Sequence, residues 1–297
     1  MIQATPGTPA ARSTPTGSGE VYQQSPWWPY LSAHIENESP PDTLGGPIRT
    51  TLSQDGGGAF WVFPGKRELD PAVFGTPENP KGTEVPGIFL GVPEEMREIA
   101  EDGTYRTSVP TPFGDAFAAL ENGSVNAMVV DATAIDGATT KDEIDFEATF
   151  PAPMDQGQYR VVVSQAAPHG WVYPTGGGVV HNVILHGVTG WGPRLFPTIF
   201  TYMAFWGPGD IYKDDQLVAE QRLIHVMLTE FARIDPYDQA LDAEVNPNNR
   251  HLHLQVAPFT GKGEMSPVST GFMLPNGMEQ PFLHVMFPAI QTETSCG

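Results

Sequence analysis

Residues 143–150 alternate without a break: Ile144, Phe146, Ala148 and Phe150 are apolar, while Glu143, Asp145, Glu147 and Thr149 are polar. In an extended strand, successive side chains point to opposite faces, so this segment needs a core on one side and water on the other. A helix would scatter the same residues around its circumference. Short apolar runs of comparable length follow or precede it at 59–63, 124–134, 158–164, 179–188, 199–206, 250–256, 270–274 and 282–287. Gly (32) and Pro (30) together exceed a fifth of the 297 residues and punctuate these runs with turns. The series predicts a mainly β protein, an antiparallel β-sandwich or barrel.

Two segments carry a different period. Val92, Met96 and Ile99, then Phe113, Phe117 and Leu120 after Pro112, recur at helical spacing and predict two short helices. Residues 216–234 fit either a helical stripe or a strand. A strand is preferred, because Ile211-Tyr212 and Leu217-Val218 flank the polar Lys213-Asp214-Asp215-Gln216 in the manner of a hairpin. The expected organisation is a disordered Thr/Pro/Gly-rich tail over 1–25, a loop-rich α+β region over 26–142 and an antiparallel β domain over 143–297.

Charge narrows the function classes. Thirty-five acids against 15 bases give a net charge of -20, which repels a phosphate backbone, and no Lys/Arg run offsets it. Nucleic-acid binding is not expected. No apolar run reaches the length of a membrane span, the nearest being Leu195–Trp206, interrupted by Pro197. Cys296 is the single cysteine, so neither a disulfide framework nor a cysteine-based zinc site is encoded. The Thr, Pro, Gly, Ala and Ser content of residues 3–19 reads as the linker after a removed export signal, placing the protein outside the cytoplasm or in secretion.

Histidine supplies the one pattern with chemical content. Six of the eight histidines lie between His181 and His284, and three expected strands carry a short motif: His225-Val226-Met227, His251-Leu252-His253 and His284-Val285-Met286. Positions i and i+2 share a strand face, so each motif offers two donors to one side. Neutral imidazole is a common transition-metal ligand, and thioether sulfur is a soft donor. The expected site is therefore a transition-metal ion held by His251, His253, His284 and His225, with Met227 and Met286 as soft ligands. Copper is expected before zinc on that donor set. Glu230, after His225, and Glu264, after the His251 pair, are candidate carboxylates to support such a site from behind, not pinned by their spacing, and solvated surface charge is the commoner role for such residues. His181 and His186, five apart, point to opposite faces of a regular strand, so at most one can join.

The His-x-His pair is similar to that of the cupins, but Ala257 and Pro258 stand where the cupin glutamate belongs, and Pro275-Asn276-Gly277 lies too far before His284. The chain departs from that family at both points. Dinucleotide-binding, phosphate-binding and nucleophile-elbow signatures are also missing from the sequence. Whether a metal here would catalyse or only bind is left open by the sequence. The alternatives are a non-catalytic cell-envelope protein that stacks a glycan or small molecule on Trp171, Trp191, Trp206 and Tyr202, and a purely structural surface protein.

Overall fold

The computed structural model describes residues 47–81, 92, 94–132, 141–167, 178–187, 195, 199–229, 250–260 and 269–296. Their strands are β1 (Ile48–Gln54), β2 (Ala59–Val62), β3 (Gly75–Thr76), β4 (Asn79–Pro80), β5 (Arg97–Ile99), β6 (Tyr105–Thr107), β7 (Phe117–Leu120) and β8 (Ser124–Asp131). After them come β9 (Glu143–Pro151), β10 (Gln158–Val163), β11 (Val179–Leu185) and β12 (Ile199–Lys213). The chain continues through β13 (Gln216–Thr229), β14 (His251–Thr260), β15 (Leu283–Phe287) and β16 (Gln291–Cys296). A one-turn helix, α1 (Pro71–Phe74), and two 3-10 turns at Glu94–Met96 and Pro153–Asp155 complete the regular structure among the described residues.

The protein is mainly β. One antiparallel sheet in the order β16-β1-β8-β9-β10-β12-β13-β14-β15-β2-β7 is strongly curled into a half-barrel, and β11 pairs with β12 beside this path. The sheet runs straight across the change of pattern at Glu143, since β8 pairs with β9 from Ser124↔Thr149 to Val130↔Glu143. β3 with β4 and β5 with β6 form separate two-stranded ribbons.

Burial divides the sheet into two regimes. β1 and β9 bury alternate residues only, as their polar/apolar alternation requires. β15 is buried at every position, and β13 from Arg222 through Thr229 likewise, so that part of the sheet is covered on both faces. The concave side holds the main core, in which Leu52, Ile144, Phe146, Phe205, Val226, Leu254 and Val285 pack together. Trp61 sits within it, its ring 4.5 Å from Phe272, 5.6 Å from Tyr159 and 6.0 Å from Phe150. Burying each such side chain stabilises the fold by about 1.5–3 kcal/mol.

The long hairpin of β12 and β13 is closed by Asp214 (φ 49) and Asp215 (φ 61), both left-handed as a two-residue hairpin turn requires. Within β12, the edge away from β13 pairs first with β11, up to Phe205, and then with β10, from Gly209. Pro208 falls in the gap between those partners, where a strand tolerates a residue with no N–H to donate. Gly209 permits a close crossing: a Cβ there would lie 2.6 Å from Ile224 Cγ1 and 2.8 Å from Val162 O.

Neither of the two expected helices forms. Glu94–Met96 is a single 3-10 turn, and the chain then extends so that buried Arg97 donates from Nε to Val92 O and from Nη1 to Phe74 O. Phe117–Leu120 is strand β7, recruited by pairing with β2, and Phe117 meets Phe60 edge-on at 5.6 Å. In both segments tertiary pairing overrides a helical spacing of apolar residues. Residues 216–229 are strand, in agreement with the hairpin pattern around Asp214-Asp215. Residues 270–274 contribute one isolated bridge, Met273↔Glu279, and place Phe272 in the core.

Candidate metal centre

The convex face of β13, β14 and β15 is assembled from the residues that alternate with the main core. Where Val226, Leu228, Leu252, Leu254, Leu283 and Val285 point inward, their neighbours His225, Met227, His251, His253, His284 and Met286 point to the other face. The register sets them in rows. His253 stands opposite Met227 on one side and Met286 on the other. Gln255, two residues on, stands between His225 and His284. Side chains paired in this way have Cβ atoms about 4.5–5.5 Å apart.

A fifth histidine joins them. His186 follows the end of β11 in a left-handed turn, with φ 68 at His186 and 59 at Gly187, and its ring centroid lies 5.8 Å from that of His225. The other ring spacings are 4.9 Å for His251 to His253 and 5.3 Å for His253 to His284. All five rings are buried, His225 at 5% exposure and the others at 3% or less. Trp206 lies flat on His225, centroids 4.4 Å apart at 7°.

Hydrogen bonds fix the protonation pattern. His284 Nδ1 is 3.3 Å from Pro112 O, and since a carbonyl only accepts, Nδ1 carries the proton and Nε2 keeps a lone pair. His253 Nδ1 lies 3.0 Å from that Nε2 and donates to it. This leaves the lone pair of His253 on Nε2, which is buried and has no hydrogen-bond partner among the described residues. His225 repeats the arrangement, donating from Nδ1 to Phe205 O at 3.0 Å and keeping a buried Nε2 lone pair with no such partner.

Burial holds these rings neutral. It pushes His225 down to about 4 against the opposing effect of the Phe205 carbonyl. His284 likewise falls to about 4, by burial first and then by the nearby Arg67 guanidinium and His251, with the Pro112 carbonyl opposing. His253 is lowered well below its ordinary value, by burial and then by repulsion from His251, His284, His225 and His186. Neutral imidazole is the form that binds metal.

Two imidazole nitrogens bound to one ion at about 2.0–2.1 Å, at angles between a right angle and tetrahedral, lie about 2.9–3.4 Å apart. The 3.0 Å between His253 Nδ1 and His284 Nε2 falls in that range, and both atoms offer lone pairs in the other neutral tautomer of His253, with its proton on Nε2. Among the described residues no group of three or more His, Cys, Asp or Glu side chains is arranged to hold one ion. His253 and His284 bring two ring nitrogens close together, and Met227 and Met286 flank His253 in register.

Neither a protein family, nor a curated protein, nor a solved structure matches this chain. Function has to be read from the site itself.

The remaining sequence candidates divide. His181 lies apart from the five-ring cluster, with Nδ1 3.2 Å from Asp131 Oδ2 and Nε2 2.9 Å from Thr50 Oγ1, tying β11 to β8 and β1. Trp206 is 1% exposed and packs on His225, so it presents no outward stacking surface. Tyr202 is half-buried, with the Arg250 guanidinium 3.9 Å above its ring. Glu230, Glu264, Trp171 and Trp191 lie outside the described residues. Sequence reasoning missed the Pro112 carbonyl, the Phe113 ring edge-on to His284 at 5.3 Å, and His186 as a definite member. For His186 the signal was Gly187, which marks a turn that breaks strand alternation.

Proposed function

We propose that this protein binds a soft transition-metal ion, copper(I) in preference to zinc(II), on the convex face of β13–β15. His253 and His284 supply nitrogen, and Met227 and Met286 supply sulfur from the two strands flanking His253. The observation that carries this reading is the pair of buried, neutral imidazoles whose His253 Nδ1 and His284 Nε2 lie 3.0 Å apart, with methionines in register on both sides; an ion there replaces the proton His253 Nδ1 shares with His284, and that proton moves to His253 Nε2.

The choice of metal follows from charge and softness. The donors on this face are neutral, so a monovalent ion brings less uncompensated charge into a buried site than a divalent one. Thioether sulfur favours copper(I) over zinc(II). The Pro112 carbonyl holds the His284 ring as outer partners of metal-bound histidines commonly do. An extracytoplasmic setting belongs to the same proposal.

The test is anaerobic titration of chelator-treated protein with copper(I) against a chromophoric competitor, repeated with zinc(II). Tight copper(I) uptake is expected, with affinity reduced by about 100-fold or more in H253N and H284N. A folded wild-type protein that takes up neither metal overturns the proposal.

A further inference from the structure

Resting on that reading, we infer that the same face holds a second copper(I) ion, between His186 and His225, separate from the His253–His284 position. The first ground is the number of donors. Five imidazoles and two thioethers share one buried face, while a single zinc or copper ion is saturated by about four ligands. The second ground is their spacing, for His186 neighbours His225 at 5.8 Å between ring centroids, while His253 neighbours His251 and His284 at 4.9 and 5.3 Å. Donors spread out as pairs suit copper(I), whose filled d shell accepts two or three ligands without a preferred higher geometry.

The His186–His225 pair fits such an ion on its own measurements. A ring centroid lies about 3.2 Å from a bound ion, the sum of a ring radius of about 1.2 Å and a bond of about 2.0 Å. With centroids 5.8 Å apart and planes at 81°, the two rings leave room for an ion held at an angle of about 130° once a nitrogen of each is turned towards it. His225 is prepared for that role. Its Nδ1 is committed to Phe205 O, its plane is held by Trp206 at 4.4 Å, and its Nε2 is buried with no hydrogen-bond partner among the described residues.

The decisive measurement is copper content per chain after anaerobic loading of the full-length protein with copper(I) and removal of excess by gel filtration. Wild type is expected to retain two ions. H186N is expected to retain one, H284N one, and the double variant H186N/H284N none, each with a wild-type far-UV circular dichroism spectrum. One ion in wild type, unchanged in H186N, overturns the second position and leaves the first intact. No copper on folded wild type overturns both. Anomalous diffraction at the copper edge gives an answer that needs no variant: an ion more than about 3 Å from His225 Nε2, with no second anomalous peak beside that ring, refutes the assignment.

Discussion

Acidification should unfold the metal-free protein through the buried imidazoles, by an amount the structure fixes. His225 and His284 titrate at about 4 when folded against 6.5 when exposed. Between those values an unfolded chain binds a proton on each ring that the folded chain refuses, so stability is fully present above pH 6.5 and is lost as pH falls towards 4. Each ring contributes about 3 kcal/mol across that window, because a proton withheld over one pH unit costs about 1.4 kcal/mol. Two rings together exceed half the stability of an ordinary domain, and His253 acts in the same direction. The assay is urea denaturation of chelator-treated protein followed by circular dichroism at half-unit steps from about pH 7.5 to about pH 4.5. Near pH 5.5 the slope should correspond to about two protons taken up on unfolding, or roughly 2.5 kcal/mol per pH unit. H225Q and H284Q should each remove close to one of those protons. A wild-type slope unchanged in both variants would falsify the claim that these rings are buried neutral.

Further outcomes follow from other contacts. M227L and M286L preserve side-chain volume and should leave thermal stability within about 1.5 kcal/mol while lowering copper(I) affinity more than zinc(II) affinity, measured by competition titration; equal losses would remove sulfur from the site. H181A takes the imidazole away from the buried Asp131 carboxylate and should destabilise the fold by about 3 kcal/mol in urea unfolding without altering copper content. G209A forces a methyl group against Ile224 and Val162 O and should cost about 1–3 kcal/mol or more by the same measure, with normal stability refuting the close crossing.

Much of the β architecture was legible because period-two alternation is a direct imprint of one buried face, as at Ile144, Phe146, Ala148 and Phe150. The hairpin at Asp214-Asp215 was legible for a different reason, namely that polar residues able to adopt positive φ interrupt two apolar runs. Segments whose conformation is imposed from a distance were not. Phe113, Phe117 and Leu120 repeat at helical spacing, yet β7 exists because β2 needs a partner, and nothing within residues 113–120 records that demand. At the candidate site, the three motifs could be found by eye, and the structure sets their strands side by side in the order β13, β14, β15. Strand order, the reach of His186 across a turn and the carbonyls behind His225 and His284 are properties of the assembled sheet alone.

The hairpin of β12 and β13 also has a kinetic consequence. Its two strands meet across two residues, so it can form from local contacts in microseconds, presenting Trp206, His225 and Met227 early. Closure of β15 against β2 joins residues as far apart as Trp61 and Val285, a loop whose entropy is paid late. Since His253, His284 and Met286 join His225 and Met227 only when β14 and β15 have paired onto β13, a chain with the hairpin alone would have no complete pocket with which to trap an ion. Metal capture would then report that β14 and β15 have joined the hairpin.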